Sequence, residues 1–121
     1  MKKVVIIDDS MFMRQTIKSA LVSSGKYIIV GEAATGDQGI EIALDLEPDV
    51  ITMDNILPDM LGIDIVKELR KEEVKARIIM VSAVGQDNII NESRSSGADD
   101  YLVKPFTNET LVERINKLFV A

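Results

Sequence analysis

The strongest constraint on the fold is a set of short apolar runs that do not alternate. They are Val4-Val5-Ile6-Ile7, Val50-Ile51-Thr52-Met53, Ile78-Ile79-Met80-Val81 and Tyr101-Leu102-Val103. A strand with one wet face alternates apolar and polar residues; a strand covered on both faces does not. Between the runs lie segments with helical spacing, so the order reads as strand then helix, five times. That pattern predicts an α/β doubly wound fold, a five-stranded parallel sheet with five helices.

The strands are expected over Lys3–Ile7, Tyr27–Ala33, Val50–Met53, Arg77–Val81 and Asp100–Val103. Helix one is expected over Ser10–Ser24, with Met13, Ile17, Ala20 and Leu21 on one face and Gly25 as its stop. Thr35 and Gln38 have the spacing of a capping box for helix two. Ile40, Ala43, Leu44 and Leu46 are its expected apolar side, and Pro48 closes it. Helix three is expected over Ile63–Glu73, after a loop with Pro58 and Gly62. Helix four, Asp87–Ser96, has Ile89, Ile90 and three serines, which suit a helix interior poorly, and is expected to be the least stable. Helix five starts near Asn108, with Leu111, Ile115 and Leu118 facing in.

The chain has 121 residues, the size of one domain, and the whole of 1–121 is read as one unit without repeat or linker. Its apolar runs are too short to span a bilayer. Lys2 and Lys3 precede an apolar run, but Asp8 and Asp9 cut it below the ~7–15 residues of a secretion signal. With no cysteine the expectation is a cytoplasmic protein without thiol chemistry or disulfides. Fourteen basic against twenty acidic side chains give a net charge of −6, which offers a nucleic acid no basic surface. There is no histidine, so an imidazole base and a phosphohistidine on this chain are excluded.

Each run ends in a polar residue. Asp8 and Asp9 follow the first, Asp54 the second, Ser82 the third and Lys104 the fourth. Parallel strands end at one edge, and ligands of open α/β sheets bind beyond that edge where the strand order reverses. If strands one and three are neighbours, Asp8, Asp9 and Asp54 meet there. Three clustered carboxylates repel one another, and such a cluster either raises a pKa or holds a cation. Magnesium fits best, since it takes one or two carboxylates, keeps waters and shares phosphate oxygens. Aspartate forms acyl phosphates, so Asp54 is the candidate nucleophile. Lys104 offers a point charge, and Ser82 a hydroxyl, to phosphoryl oxygens. Each residue alone has a plainer reading: Asp8 and Asp9 as helix caps, Asp54 as a loop acid, Lys104 as a solvated lysine, Ser82 as a loop cap.

Together, Asp8-Asp9, Asp54, Ser82 and Lys104-Pro105 resemble the receiver domain of two-component response regulators, over the whole chain. Asp9-Ser10-Met11-Phe12-Met13-Arg14 is similar to the start of helix one in chemotaxis receivers, and no output domain is expected after helix five. The resemblance implies the flavodoxin-like order 2-1-3-4-5, for which chemotaxis receivers are themselves a standard example. It implies Asp54 as phosphoacceptor, Mg2+ on Asp9, Asp54 and the backbone carbonyl of Ile56, and Asp8 acting largely through water. Ser82 and Lys104 would hold the phosphoryl group, and the Lys104–Pro105 peptide would be cis. Tyr101 takes the place of the family's switch aromatic, although residue type alone also permits a half-buried strand tyrosine. The partner face would include Val103, Phe106, Thr107, Arg114 and Lys117.

The implied activity is a phosphorylation-dependent switch rather than an enzyme. Its donor would be a separate histidine kinase. Its output partner would be a protein such as a flagellar motor switch, and a phosphatase would be a further partner. The protein is expected to be a monomer. A phosphorelay shuttle would use the same residues. A haloacid dehalogenase-type phosphohydrolase fails on motif, since its nucleophile sits in Asp-x-Asp and Asp54 precedes Asn55-Ile56. A flavodoxin-like carrier wants a hydroxyl- and glycine-rich loop where Asp8-Asp9-Ser10 would repel FMN. Ile56 and Val84 depart from the polar residues some chemotaxis receivers carry there, which predicts slow self-dephosphorylation.

Overall fold

The computed structural model describes residues 1–120. The elements are β1 (Lys2–Ile7), α1 (Met11–Ser23), β2 (Tyr27–Ala33), α2 (Gly36–Leu46), β3 (Val50–Met53), α3 (Gly62–Lys71), β4 (Arg77–Ser82), α4 (Asp87–Ser96), β5 (Asp100–Val103) and α5 (Asn108–Lys117). The strands form one sheet in the order β2-β1-β3-β4-β5, and every pair is parallel. The order reverses at β1 and β3, as the doubly wound reading requires.

Successive strand residues point to opposite faces, and each face has its own core. Val5, Ile7, Ile51, Met53, Ile78, Met80 and Tyr101 face Ala43 of α2 and Ile65, Val66 and Leu69 of α3. Val4, Ile6, Val50, Ile79, Val81 and Leu102 face Ile17 and Leu21 of α1 and Leu111 and Ile115 of α5. This is why the runs do not alternate: both parities are buried. Full burial of such a side chain contributes about 1.5–3 kcal/mol.

Three details differ from the sequence reading. In α2 the stripe against the sheet runs through Gly36, Gly39 and Ala43. A Cβ at Gly39 would lie 2.7 Å from the Cδ1 of Ile7. Leu44, one residue past that stripe, is 43 % exposed, and Ile42 packs in its stead. The capping box is only half formed. Thr35 accepts from the Gln38 amide at 3.2 Å, while the carboxylate of Asp59 accepts from the Gly36 and Asp37 amides at 2.7 and 3.0 Å. These are amides that a helix start leaves open. They hold Asp59 well below the usual carboxylate pKa. Finally, α3 stops at Lys71 rather than Glu73. Glu73 adopts a left-handed φ of 62°, its amide donates to Arg70, and the Val74 amide donates to Leu69. That is a Schellman ending with glutamate in the place glycine usually takes.

The weak helix of the sequence reading is α4. Ser93 is its one buried residue among those described, and its first turn has no side-chain cap. Ile89 and Ile90 reach the core only in part.

Candidate functional site

The sheet register brings the strand ends together. Ile7 is level with Met53, and Met53 with Met80. Asp8 and Asp54 are therefore the first residues past the β1–β3 ladder. The Asp54 amide continues that ladder by donating to Ile7, and the Asp8 amide continues the β1–β2 ladder by donating to Ala33. Ser82 is level with Val103, and the Lys104 amide donates to the Ser82 carbonyl at 2.9 Å. The Lys104–Pro105 peptide is cis.

Ligand oxygens of Asp8, Asp9 and Asp54 lie within 4.8 Å of one another. Asp8 is buried and Asp9 exposed. Both Asp8 oxygens are engaged: Oδ1 accepts from the Ser10 amide at 2.9 Å and Oδ2 from the Lys104 ammonium at 3.1 Å. The same ammonium lies 4.0 Å from Asp54 Oδ2. Burial pushes the Asp54 carboxyl above its ordinary value, and the Asp8 charge adds to this. Lys104 and the amides of Ile56 and Asn55 pull the other way without winning. A carboxylate held against its preference gains from any cation beside it.

The loop that follows Asp54 is fixed by close backbone packing. The Gly62 amide, at the start of α3, donates to the Asn55 carbonyl at 2.6 Å. A Cβ at Gly62 would collide with the Asp54 carbonyl oxygen and come within 2.9 Å of the Asn55 Cα. Only glycine allows that approach. Ile56 pairs with Leu61 across the loop and is 57 % exposed.

Ser82 is buried, and its oxygen accepts from the Val84 amide at 3.2 Å. A hydroxyl that accepts one bond still has its hydrogen to donate. Tyr101 is buried at 4 % exposure, and its hydroxyl donates to the Val84 carbonyl. On the α4–β5–α5 side, Val103, Thr107 and Lys117 are exposed and Phe106 half-buried. Arg114 is occupied: it grips Asp100 through two nitrogens at 2.7 and 2.6 Å and donates to the Tyr101 carbonyl at 3.1 Å. Burial alone would raise Asp100, but the Arg114 bonds, the Tyr101 amide and Arg94 hold it below the usual range.

The chain matches the response regulator receiver domain over residues 4–116. It belongs to that family. The receiver is 42 % identical over 117 residues to the chemotaxis protein CheY of Thermotoga maritima, covering 97 % of each chain. It is equally 42 % identical over 115 residues to the CheY of Bacillus subtilis, covering 95 % of each. In structure it resembles a chain of the CheX-CheY-BeF3-Mg+2 complex of Borrelia burgdorferi. There the TM-score is 0.95 at 28 % identity, over 99 % of this chain and 90 % of that one. It also resembles the signal receiver domain of a response regulator NarL from Mycobacterium tuberculosis, with a TM-score of 0.93 at 29 % identity, over 97 % of this chain and 94 % of that one.

Sequence reasoning named Asp8, Asp9, Asp54, Ser82 and Lys104. The three acids and the lysine converge, and Ser82 ends β4 at the same sheet edge, its carbonyl accepting from the Lys104 amide. It missed the contact of Arg14 with the Asp8 carbonyl and Glu32. The one available signal was an arginine a single turn into α1, on the strand side.

Proposed function

We propose that this receiver accepts a phosphoryl group on Asp54 from the phosphohistidine of a separate histidine kinase, and then binds an output protein through α4, β5 and α5. The observation that carries this reading is the meeting of Asp8, Asp9, Asp54 and Lys104 at one strand edge, with the lysine 3.1 Å from Asp8 and 4.0 Å from Asp54. A donor set made only of oxygens fits Mg2+. Asp9, Asp54 and the Ile56 carbonyl would hold it directly, and Asp8, whose oxygens are already engaged, through water. Once bound, that ion would supply charge neutralisation at the phosphoryl oxygens.

The remaining work falls to this chain's own groups. One Asp54 oxygen attacks phosphorus, the bond to the imidazole nitrogen breaks with its electron pair leaving on the ring, and an acyl phosphate forms on Asp54. Lys104 and the free hydroxyl hydrogen of Ser82 bind the transferred oxygens. The new group adds roughly −1.5 to −2 charge and draws both inward. Ser82 and Val84 are joined by a hydrogen bond, and Val84 is joined to Tyr101. A movement of Ser82 therefore reaches β5 through two bonds. Helix α4, polar and uncapped, is the element that yields. The switch is a shift between two populated arrangements rather than a new fold. The relatives named chemotaxis protein CheY support chemotaxis as the setting, and in that setting the output partner would be a flagellar motor switch.

Beryllofluoride with Mg2+ mimics the acyl phosphate, and amide NMR shifts report its effect. The reading expects saturable shifts in Asp87–Ser96 and around Tyr101, absent in Asp54→Ala. No change in those segments with a saturated site would place the output face elsewhere.

A further inference from the structure

Arg14 lies on α1 and points back toward the strand edge. Its Nη1 donates to the backbone carbonyl of Asp8 at 2.7 Å, and its Nε donates to Glu32 Oε1 on β2 at 3.2 Å. The side chain is 15 % exposed. Lys18, one turn further along α1, reaches the other Glu32 oxygen at 3.6 Å. The carbonyl that Arg14 holds belongs to the peptide joining Asp8 to Asp9. The other side of Asp8 is fixed by its own amide on the Ala33 carbonyl at 3.0 Å. Asp8 is thus tied on both flanks, and the direction in which Asp9 leaves the chain follows from the plane of a peptide clamped by Arg14.

We propose that Arg14, braced by Glu32, is a positioning residue for the cation: it sets the Asp8–Asp9 peptide and so aims the Asp9 carboxylate. The inference rests on the reading of Asp8, Asp9 and Asp54 as a Mg2+ site. Groups that orient ligands from behind typically change metal affinity by about 10–100-fold when removed. Guanidinium suits the task, because its planar fork serves two acceptors at fixed angles, whereas an ammonium is a single point.

Charge alone makes the opposite prediction. Removing a cation beside an acidic pocket should tighten Mg2+ binding, by Coulomb attraction. Positioning requires that it weaken. A purely structural tie between α1 and β2 would lower the melting temperature and leave affinity unchanged.

The test is a Mg2+ titration of the unphosphorylated protein, followed by the amide shifts of Asp9 and Asp54, in wild type, Arg14→Met, Arg14→Lys and Glu32→Ala. Melting in EDTA runs alongside. Wild type should saturate; if it does not bind Mg2+, the site reading itself fails. With wild type binding, Arg14→Met should raise Kd by about tenfold or more. Arg14→Lys, with the charge intact, should fall short of wild type. It also carries the test if the methionine variant does not fold. Glu32→Ala should weaken binding in the presence of Arg14 and add nothing to Arg14→Met. Wild-type affinity in both Arg14 variants, or tighter binding in Arg14→Met, would overturn the inference.

Discussion

The Tyr101 hydroxyl donates to the backbone carbonyl of Val84, two residues beyond Ser82. It ties the loop that follows Ser82 to β5. Tyr101 is level with Met80 on the neighbouring strand and buried in the same core, so the loop is held by a buried post. Replacing Tyr101 by Phe keeps the ring and leaves the Val84 carbonyl without that donor. The expected cost is about 1 kcal/mol. Hydrogen exchange should accelerate in Ala83–Gln86 and the first turn of α4, with the central strands unchanged. Uniform loss of protection across the sheet would mean that the hydroxyl serves global stability and not the loop.

Asp54 carries a cost that stability can reveal. Its folded pKa lies above the ordinary value of 3.8, through burial and the neighbouring Asp8. A raised carboxyl pKa means that the ionised form disfavours folding. That penalty is in force above the folded pKa and disappears as pH falls through it toward the unfolded value. Without Mg2+, Asp54→Asn should therefore melt higher than wild type at neutral pH, and the gap should close under acid. Mg2+ at a hundred times its Kd should stabilise wild type by about 2.7 kcal/mol and leave the variant nearly unaffected. Calorimetry across pH, with and without Mg2+, checks both signs.

Much of this site was legible because its chemistry sits at strand ends. Parallel strands covered on both faces leave uninterrupted apolar runs, so the residue that follows each run, Asp8, Asp54, Ser82 or Lys104, stands out. Long-range contacts leave no such mark. Asp59 caps α2 from the loop before α3, Arg14 reaches Glu32 across α1 and β2, and Arg114 reaches Asp100; none has a local spacing. The inward stripe of α2 was misread at Leu44 because its true line runs through glycines, which hydrophobicity patterns pass over. Glu73 gave no sign of a helix ending, because glycine usually marks that conformation.

The lifetime of the acyl phosphate should depend on Ile56. Hydrolysis needs a water aligned opposite the Asp54 oxygen, and positioning governs its rate. Ile56 and Val84 offer that water no hydrogen bond, and Ile56 stands at the mouth of the site with 57 % of its surface exposed. Ile56→Asn supplies one hydrogen-bonding group. One such bond of up to about 1.4 kcal/mol corresponds to a shortening of up to roughly tenfold. Phosphate release from pre-phosphorylated protein in excess Mg2+ measures it. An equal or slower mutant would show that something other than Ile56 controls the water.

The central claim is that Asp54 is the phosphoacceptor of a Mg2+-dependent reaction. Intact-mass measurement after incubation with Mg2+ and a small acyl-phosphate donor tests it most directly. The account predicts the addition of a single phosphoryl group to the wild-type chain, lost when EDTA replaces Mg2+ and lost in Asp54→Ala. An Asp54→Ala protein that gains the same mass under the same conditions would contradict it.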